Sequence, residues 1–249
     1  MPGMSEPQRV AVVTGGGSGI GAATCGRLAA DGYTLAVLDL DLDAAKAAAG
    51  PEGIGLAADV ADAESMREAI NTVVRTIGRI DLLVNNAGIT GSQAAGRCHE
   101  TPIEEWDRVH AVNVRGLFLC SRVVLPVMLA QGSGHVITVA SVAGQVAFPA
   151  RCAYTASKGA ALLFAKSLAV DYATDGIRSN AVCPGFVQTP MTQWRLDVPE
   201  LRSRVEENIP MRRVAQPTEI ADAIGLLADE RLSYLTGHAL TVDGGWTAL

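Results

Sequence analysis

Residues 14–21, Thr14-Gly15-Gly16-Gly17-Ser18-Gly19-Ile20-Gly21, lie between a short apolar run and a stretch rich in alanine. A strand is predicted before this turn and a helix after it. Glycines let a backbone turn tightly and approach a pyrophosphate, whose charge then meets free N–H groups and the positive end of the helix. The order strand, glycine turn, helix therefore favours a dinucleotide site over an ordinary glycine-rich turn.

Short apolar runs rich in β-branched residues alternate with longer alanine-rich stretches along the whole chain. This alternation predicts a parallel sheet covered by helices on both faces. We expect a single doubly wound α/β domain of Rossmann type over residues 1–249, with a seven-stranded parallel sheet. The predicted strands are 9–14, 33–39, 54–58, 81–85, 134–140, 178–183 and 239–242. The predicted helices are 20–31, 63–77, 104–130, 153–173 and 218–228.

One segment, 185–217, interrupts this alternation because it holds no predicted strand and contains four prolines. A connection of this length inside a compact domain is usually a functional lid or flap. We therefore expect residues 185–217 to cover the substrate.

The composition excludes several classes of protein. With 49% hydrophobic and 18% charged residues, the 249-residue chain is neither disordered nor fibrous. A net charge of −6 without a basic cluster argues against nucleic-acid binding. No uninterrupted apolar run has the roughly 18 residues of a membrane span. Five scattered cysteines suggest a reducing cytoplasm, and four dispersed histidines suggest no metal site.

The second predicted strand ends at Asp39, whose carboxylate can accept both hydroxyls of an adenosine ribose. A 2′-phosphate would be repelled there. Neither the glycine turn nor position 40 offers an arginine or lysine to bind that phosphate. The pattern favours NAD over NADP.

The glycine turn has the spacing TGxxxGIG rather than GxGxxG, and in this the chain resembles the classical short-chain dehydrogenases. Asp59-Val60 resembles the family's adenine-contacting pair, and Asn85-Asn86-Ala87-Gly88 its NNAG motif beside the cofactor ribose. Residues 184–190 resemble its PGxxxTP segment, whose backbone and threonine hold the nicotinamide carboxamide. The resemblance implies these cofactor contacts: Gly15, Gly17, Ser18, Gly19, Ile20, Gly21, Asp39, Asp59, Val60, Asn86, Ala87, Gly88, Tyr154, Lys158, Pro184, Gly185, Val187 and Thr189.

Tyr154 and Lys158 are spaced i,i+4 on a predicted helix, so the ammonium and the phenol share a face. A tyrosine acting as a base near neutral pH needs its phenolate stabilised by roughly 3–4 kcal/mol. The family resemblance makes Tyr154 that base, with Ser141 bound to the substrate oxygen and Asn113 holding a proton-relay water. Each residue alone has an ordinary structural explanation. Together they predict an NAD-dependent alcohol dehydrogenase or ketone reductase.

Arg151 precedes Tyr154 by three residues, and Arg195 lies on the predicted flap. Facing the pocket, they would clamp a sulfonate, phosphate or carboxylate tail; from position alone, two solvated surface arginines are an equal alternative. Residues 113–116, 146–149 and 189–197 resemble a branch of the family in which arginines at these places hold a sulfonate. The predicted substrate contacts are Ser141, Arg151, Tyr154, Met191, Trp194 and Arg195.

Two other functions compete with this interpretation. A 3-oxoacyl-acyl-carrier-protein reductase would share the catalytic residues Asn113, Ser141, Tyr154 and Lys158. Such enzymes normally prefer NADPH, however, and the carboxylate of Asp39 argues against NADPH. A non-catalytic NAD-binding sensor would generally lack the tyrosine or the lysine. The low charge content and the long apolar helices at 104–130 and 153–173 further predict a homotetramer.

Overall fold

The computed structural model describes residues 8–92 and 95–249. Its described residues form one parallel sheet in the order β3-β2-β1-β4-β5-β6-β7. This confirms the predicted seven-stranded parallel sheet, with strand ends within about one residue of those expected. The strands are β1 (Val10–Thr14), β2 (Thr34–Asp39), β3 (Ile54–Ala57), β4 (Leu82–Asn85), β5 (Gly134–Val139), β6 (Ile177–Pro184) and β7 (Ala239–Val242).

Helices cover both faces of the sheet, as the alternating pattern predicts. One apolar cluster joins the sheet to α1, α2 and α9, and a second joins the opposite face to α3, α5 and α6. Strand β1 serves both clusters, because Val13 packs into the first and Val12 into the second. The helices are α1 (Gly19–Ala30), α2 (Leu42–Ala49), α3 (Ala63–Ile77), α4 (Ile103–His110), α5 (Leu117–Gln131), α6 (Cys152–Tyr172), α7 (Pro190–Leu196), α8 (Pro199–Glu207) and α9 (Pro217–Ala228).

The helix predicted over 104–130 is interrupted by a π-helical segment, Ala111–Gly116, between α4 and α5. Such segments are rare and often lie at functional sites. By length and composition, Ile103–Gln131 could cross a membrane. Core helices also meet that criterion, and here Leu119, Val124 and Met128 are buried in the second cluster.

The segment 185–217 contains α7 and α8, which the sequence pattern does not predict. Each helix has a proline in its first turn, a position that needs no backbone donor. This segment packs on a small apolar cluster centred on Leu196, Ile209 and Val214. It is therefore a folded segment rather than an irregular loop, and its role as a substrate flap stays a prediction.

The order of the strands reverses between β1 and β4. In parallel sheets of this kind, ligands bind in the crevice at the carboxyl ends of the strands on either side of such a reversal. The glycine turn follows β1 and the Asn85-Asn86-Ala87-Gly88 motif follows β4. The fold thus brings these two sequence motifs to one edge.

Candidate active site

The glycine turn after β1 has a backbone that side chains would obstruct. Gly15 and Gly19 have φ angles of +61° and +52°, in the left-handed region that favours glycine. A Cβ on Gly21 would lie 2.1 Å from the carbonyl oxygen of Gly15, so α1 can begin against the turn only with glycine there. This close approach leaves the open cradle that a pyrophosphate needs.

Asn86 holds the turn from the neighbouring strand. Its side-chain Nδ2 donates to the carbonyl oxygens of Thr14 and Gly15, both at 2.9 Å. In return, the Thr14 hydroxyl accepts from the backbone N–H groups of Asn86 at 3.1 Å and Ala87 at 3.2 Å. The motif after β4 therefore fixes the shape of the turn after β1.

Asp39 lies at the end of β2, beside the turn. One carboxylate oxygen accepts from the backbone N–H of Gly17 at 2.8 Å, and the other from that of Asp41 at 3.1 Å. Among the described residues, Asp39 forms no ion pair with an arginine or lysine. A fixed negative charge thus borders the cradle.

One cleft gathers every predicted cofactor residue except Gly17, whose N–H is turned towards Asp39. Asp59 lies in its wall and also forms a local turn, because one carboxylate oxygen accepts from the N–H of Ala61 at 2.9 Å. The cradle, the helix start and the carboxylate suit a nicotinamide dinucleotide. Further cleft residues, beyond those expected to contact cofactor or substrate, are Leu38, Leu40, Ala58, Ile89, Thr90, Val112, Val139, Ala140, Pro190 and Thr192.

Ser141, Tyr154 and Lys158 line the same cleft. The Ser141 hydroxyl accepts from the N–H of Ala143 at 3.1 Å, which fixes it at the end of β5. Lys158 is buried, its Nζ donating to the carbonyl of Val139 at 2.8 Å and lying 5.8 Å from the centre of the Tyr154 ring. The i,i+4 spacing thus places the ammonium and the tyrosine ring on one face of α6, as expected from the helix geometry.

Burial governs the ionisation of this pair. It raises the pKa of the Tyr154 phenol, and a hydrogen bond with Ser141 offsets part of the rise. Burial also lowers the pKa of Lys158 to about 8, so the ammonium is still mostly protonated at pH 7. The hydrogen bond from Ser141 is therefore the contact that favours the phenolate, and the Lys158 ammonium lies 5.8 Å from the ring centre.

Asn113 lies in the π-helical segment, behind the wall of the cleft. Its amide accepts from the N–H of Ile89 and donates to the carbonyl of the same residue, each at 2.8 Å. It also donates to the Ser157 hydroxyl at 3.0 Å. Asn113 therefore pins the loop after β4 to α6, one residue from Lys158. Its role in holding a relay water stays a prediction.

The predicted substrate residues occupy two zones. Met191 lines the cleft, whereas Arg151, Trp194 and Arg195 do not. The Arg195 guanidinium lies 5.0 Å from the centre of the Trp194 ring, so this aromatic packs within its own helix. Burial lowers the pKa of Arg195, and the positive charge of Arg151 lowers it further. The two guanidinium groups are thus within electrostatic range of each other.

Comparisons with known proteins extend over nearly the whole chain. A family model described as enoyl-(acyl carrier protein) reductase matches residues 15–247. The 2-(R)-hydroxypropyl-CoM dehydrogenase of Xanthobacter autotrophicus is 50% identical over 248 residues, covering 97% of this chain and 99% of the relative. The cyclopentanol dehydrogenase of a Comamonas species is 38% identical, covering 96% and 97%. Among solved structures, levodione reductase superposes with a TM-score of 0.90 at 36% identity, covering 97% and 98%.

Proposed function

Because this chain belongs to the short-chain dehydrogenase/reductase family, we propose that it is an NAD-dependent dehydrogenase that interconverts a secondary alcohol and its ketone at Tyr154. One observation carries the proposal: a single cleft joins the glycine cradle, Asp39 and the residues Ser141, Tyr154 and Lys158. The relatives described above bear the names of dehydrogenases and a reductase.

In this mechanism, Tyr154 accepts the proton of the alcohol hydroxyl, and the Ser141 hydroxyl holds the same oxygen by a hydrogen bond. Lys158 keeps a positive charge beside the phenol and so favours its ionised form. A nicotinamide cofactor held by the glycine turn and Asp39 would supply the acceptor for the hydride of the alcohol carbon. In the reverse direction, Tyr154 returns the proton to the oxygen of the new alcohol.

We expect kcat/KM with NAD to exceed that with NADP by at least about tenfold, which requires only about 1.4 kcal/mol. The reason is that the Asp39 carboxylate would face the doubly charged 2′-phosphate of NADP. Steady-state kinetics with both cofactors measure the ratio.

Replacing Asp39 by Ala should narrow the cofactor ratio. Asp41→Asn is the matched control, since it removes a neighbouring charge while keeping a side-chain oxygen to cap α2. Equal use of both cofactors by the wild-type protein would contradict this assignment.

The substrate assignment concerns Arg151 and Arg195. On α7, Arg195 is spaced i,i+4 from Met191, which lines the cleft. Arg151 is the N-cap residue of α6, three residues before Tyr154. Within the described residues neither arginine forms an ion pair with a carboxylate. Two arginines without a carboxylate partner, both close in sequence to residues of the cleft, would suit an anion that accepts bidentate hydrogen bonds.

A sulfonate fits these arginines, and the substrate we propose is a 2-hydroxypropyl thioether ending in a sulfonate. The relative at 50% identity is named for 2-(R)-hydroxypropyl-CoM, which is consistent with such a tail. The secondary alcohol would lie at Tyr154 and the anion near Arg151 and Arg195. Met191 would contact the chain between them.

Two assignments concern the chain as a whole. We take residues 1–249 as one nucleotide-binding domain, with residues 185–217 as its flap. The five cysteines are free, and three of them are buried, which suits a reducing compartment such as the cytoplasm. The proposed binding partner of the protein is its small alcohol or ketone substrate.

We further propose a homotetramer. Large apolar side chains remain exposed on α5 and α6, with Leu163 at 66% and Val170 at 80% accessibility. Self-association would cover such a surface. Light scattering at micromolar concentration should give a mass four times that of the chain. A monomer under these conditions would contradict the assignment.

A further inference from the structure

We infer that Glu105 is a positioning residue that sets the place of the Arg151 guanidinium and thereby determines how strongly the enzyme prefers alcohols with an anionic tail. The inference rests on the proposed function, because it assigns Arg151 to the substrate anion. It adds a residue that no sequence motif identifies and that lies outside the cleft wall.

Two contacts link Glu105 to Arg151. Glu105 lies on α4 with its side chain only 7% exposed, and one carboxylate oxygen accepts from the backbone N–H of Ser92. The carbonyl oxygen of Ser92 accepts in turn from Arg151 Nη1 at 3.2 Å. A single residue of backbone therefore separates the buried carboxylate from the guanidinium.

Glu105 is itself held in place. Its second carboxylate oxygen accepts from Arg108 Nη2 at 2.9 Å. The hydrogen bond from Arg108 lowers the pKa of Glu105, burial opposes this, and the Ser92 N–H lowers it further. The carboxyl group is thus ionised at neutral pH, and an ionised acceptor makes a stronger bond to a backbone N–H than a neutral one.

The loop that contains Gly91 and Ser92 passes close to the Glu105 carboxylate. Gly91 has a φ of +89°, and a Cβ there would lie 2.6 Å from Glu105 Oε1. Two residues before Gly91, the N–H and the carbonyl of Ile89 are both hydrogen-bonded to the side chain of Asn113. Thr90, which lines the cleft, therefore lies between two fixed points. On its N-terminal side, Ser92 is thus joined by a short stretch of backbone to the residue that Asn113 holds.

The segment that carries Arg151 is also strained. Ala150 has a φ of +54°, a left-handed conformation that residues other than glycine seldom adopt. Such strain persists only where the surroundings hold it, and it clusters at functional sites. The bond from Arg151 to Ser92 is a contact that can hold this turn. The bond between Glu105 and Ser92 and the strained turn at Ala150 thus both help to fix the position of the Arg151 guanidinium.

The test compares two alcohols that differ in their tail: racemic 2-(2-hydroxypropylthio)ethanesulfonate and the neutral 1-(ethylthio)propan-2-ol. The quantity measured is the ratio of their kcat/KM values. Glu105→Ala should lower this ratio about threefold to tenfold, mainly through KM for the sulfonate. The neutral alcohol should keep its kcat/KM within about twofold. A loss shared equally by both alcohols would indicate a purely structural role and overturn the inference.

Two further variants separate the bond to Ser92 from the ion pair with Arg108. Glu105→Gln keeps a neutral oxygen acceptor for the Ser92 N–H, so the ratio should fall clearly less than in Glu105→Ala. Arg108→Ala removes the ion pair but leaves the bond to Ser92, and should also preserve the ratio. A loss in either variant as large as that in Glu105→Ala would overturn the linkage through Ser92.

A double-mutant cycle tests whether Glu105 acts through Arg151. Once Arg151 is Ala, the second change Glu105→Ala should lower the ratio no further. Calorimetric binding of 2-(methylthio)ethanesulfonate, which has no alcohol to react, should show the same pattern in its Kd. Additive losses in the double mutant would overturn the inference.

Failure of this inference can be distinguished from failure of the proposed substrate. If Arg151→Ala lowers the ratio but Glu105→Ala does not, the anion site stands and the positioning role is wrong. If Arg151→Ala leaves the ratio unchanged, the anion site is wrong and the positioning role falls with it. If Glu105→Ala does not fold, Gly91→Ala serves instead, because its Cβ would disturb the hydrogen bond between Glu105 and Ser92. An unchanged ratio in Gly91→Ala would overturn the inference.

Discussion

Tyr154→Phe is expected to lower kcat by about 10²- to 10⁴-fold while NAD binding stays nearly intact. The hydroxyl alone carries the proton, and the phenylalanine ring still fills the same place beside Lys158 and Ser141. A rate assay combined with calorimetric titration of NAD measures both quantities.

Tyr172→Phe is the matched control for this experiment. Tyr172 lies at the end of the same helix, packed against the second core cluster rather than in the cleft. It should keep wild-type turnover. Residual activity of Tyr154→Phe within tenfold of the wild-type rate would mean that the base is another group.

Replacing Arg151 or Arg195 by Ala should raise KM for the sulfonate-bearing alcohol about tenfold to a hundredfold. A charge-assisted hydrogen bond contributes about 1.5–3 kcal/mol, and each 1.4 kcal/mol is a factor of ten. A neutral alcohol such as 2-butanol should be almost unaffected, because it has no charge to lose a partner. If binding energy at the tail also orients the alcohol at Tyr154, kcat for the charged substrate falls as well.

Arg204→Ala serves as the control for general effects of removing a flap arginine. Arg204 is exposed on α8, and within the described residues it forms no ion pair. It should leave both KM values unchanged. If Arg151→Ala and Arg195→Ala instead keep the wild-type ratio of KM values for charged and neutral alcohols, both arginines are surface residues. The proposed sulfonate substrate is then wrong.

The sheet is predictable from sequence because its strands are buried on both faces. Runs such as Val10-Ala11-Val12-Val13 are continuously apolar for that reason. The helices α2 and α7 escape prediction because eight and seven residues are too few for a periodic pattern. Their ends are set by local chemistry instead, by the Asp41 cap of α2 and by Pro190 at the start of α7.

The candidate site divides in the same way. Tyr154 and Lys158 can be paired from sequence because their separation is fixed by helix geometry. The link from Glu105 through Ser92 to Arg151 cannot, because it depends on how a loop after β4 passes over α4. Gly91 offers a partial signal, since a left-handed conformation favours glycine. A glycine alone does not reveal which carboxylate lies beneath it.

The most direct test is the rate of NADH formation when the wild-type protein is mixed with NAD and racemic 2-(2-hydroxypropylthio)ethanesulfonate. The proposed function predicts NADH and ketone in equal amounts, with kcat/KM at least about tenfold above that for 1-(ethylthio)propan-2-ol. No turnover of either alcohol with NAD or NADP would contradict it.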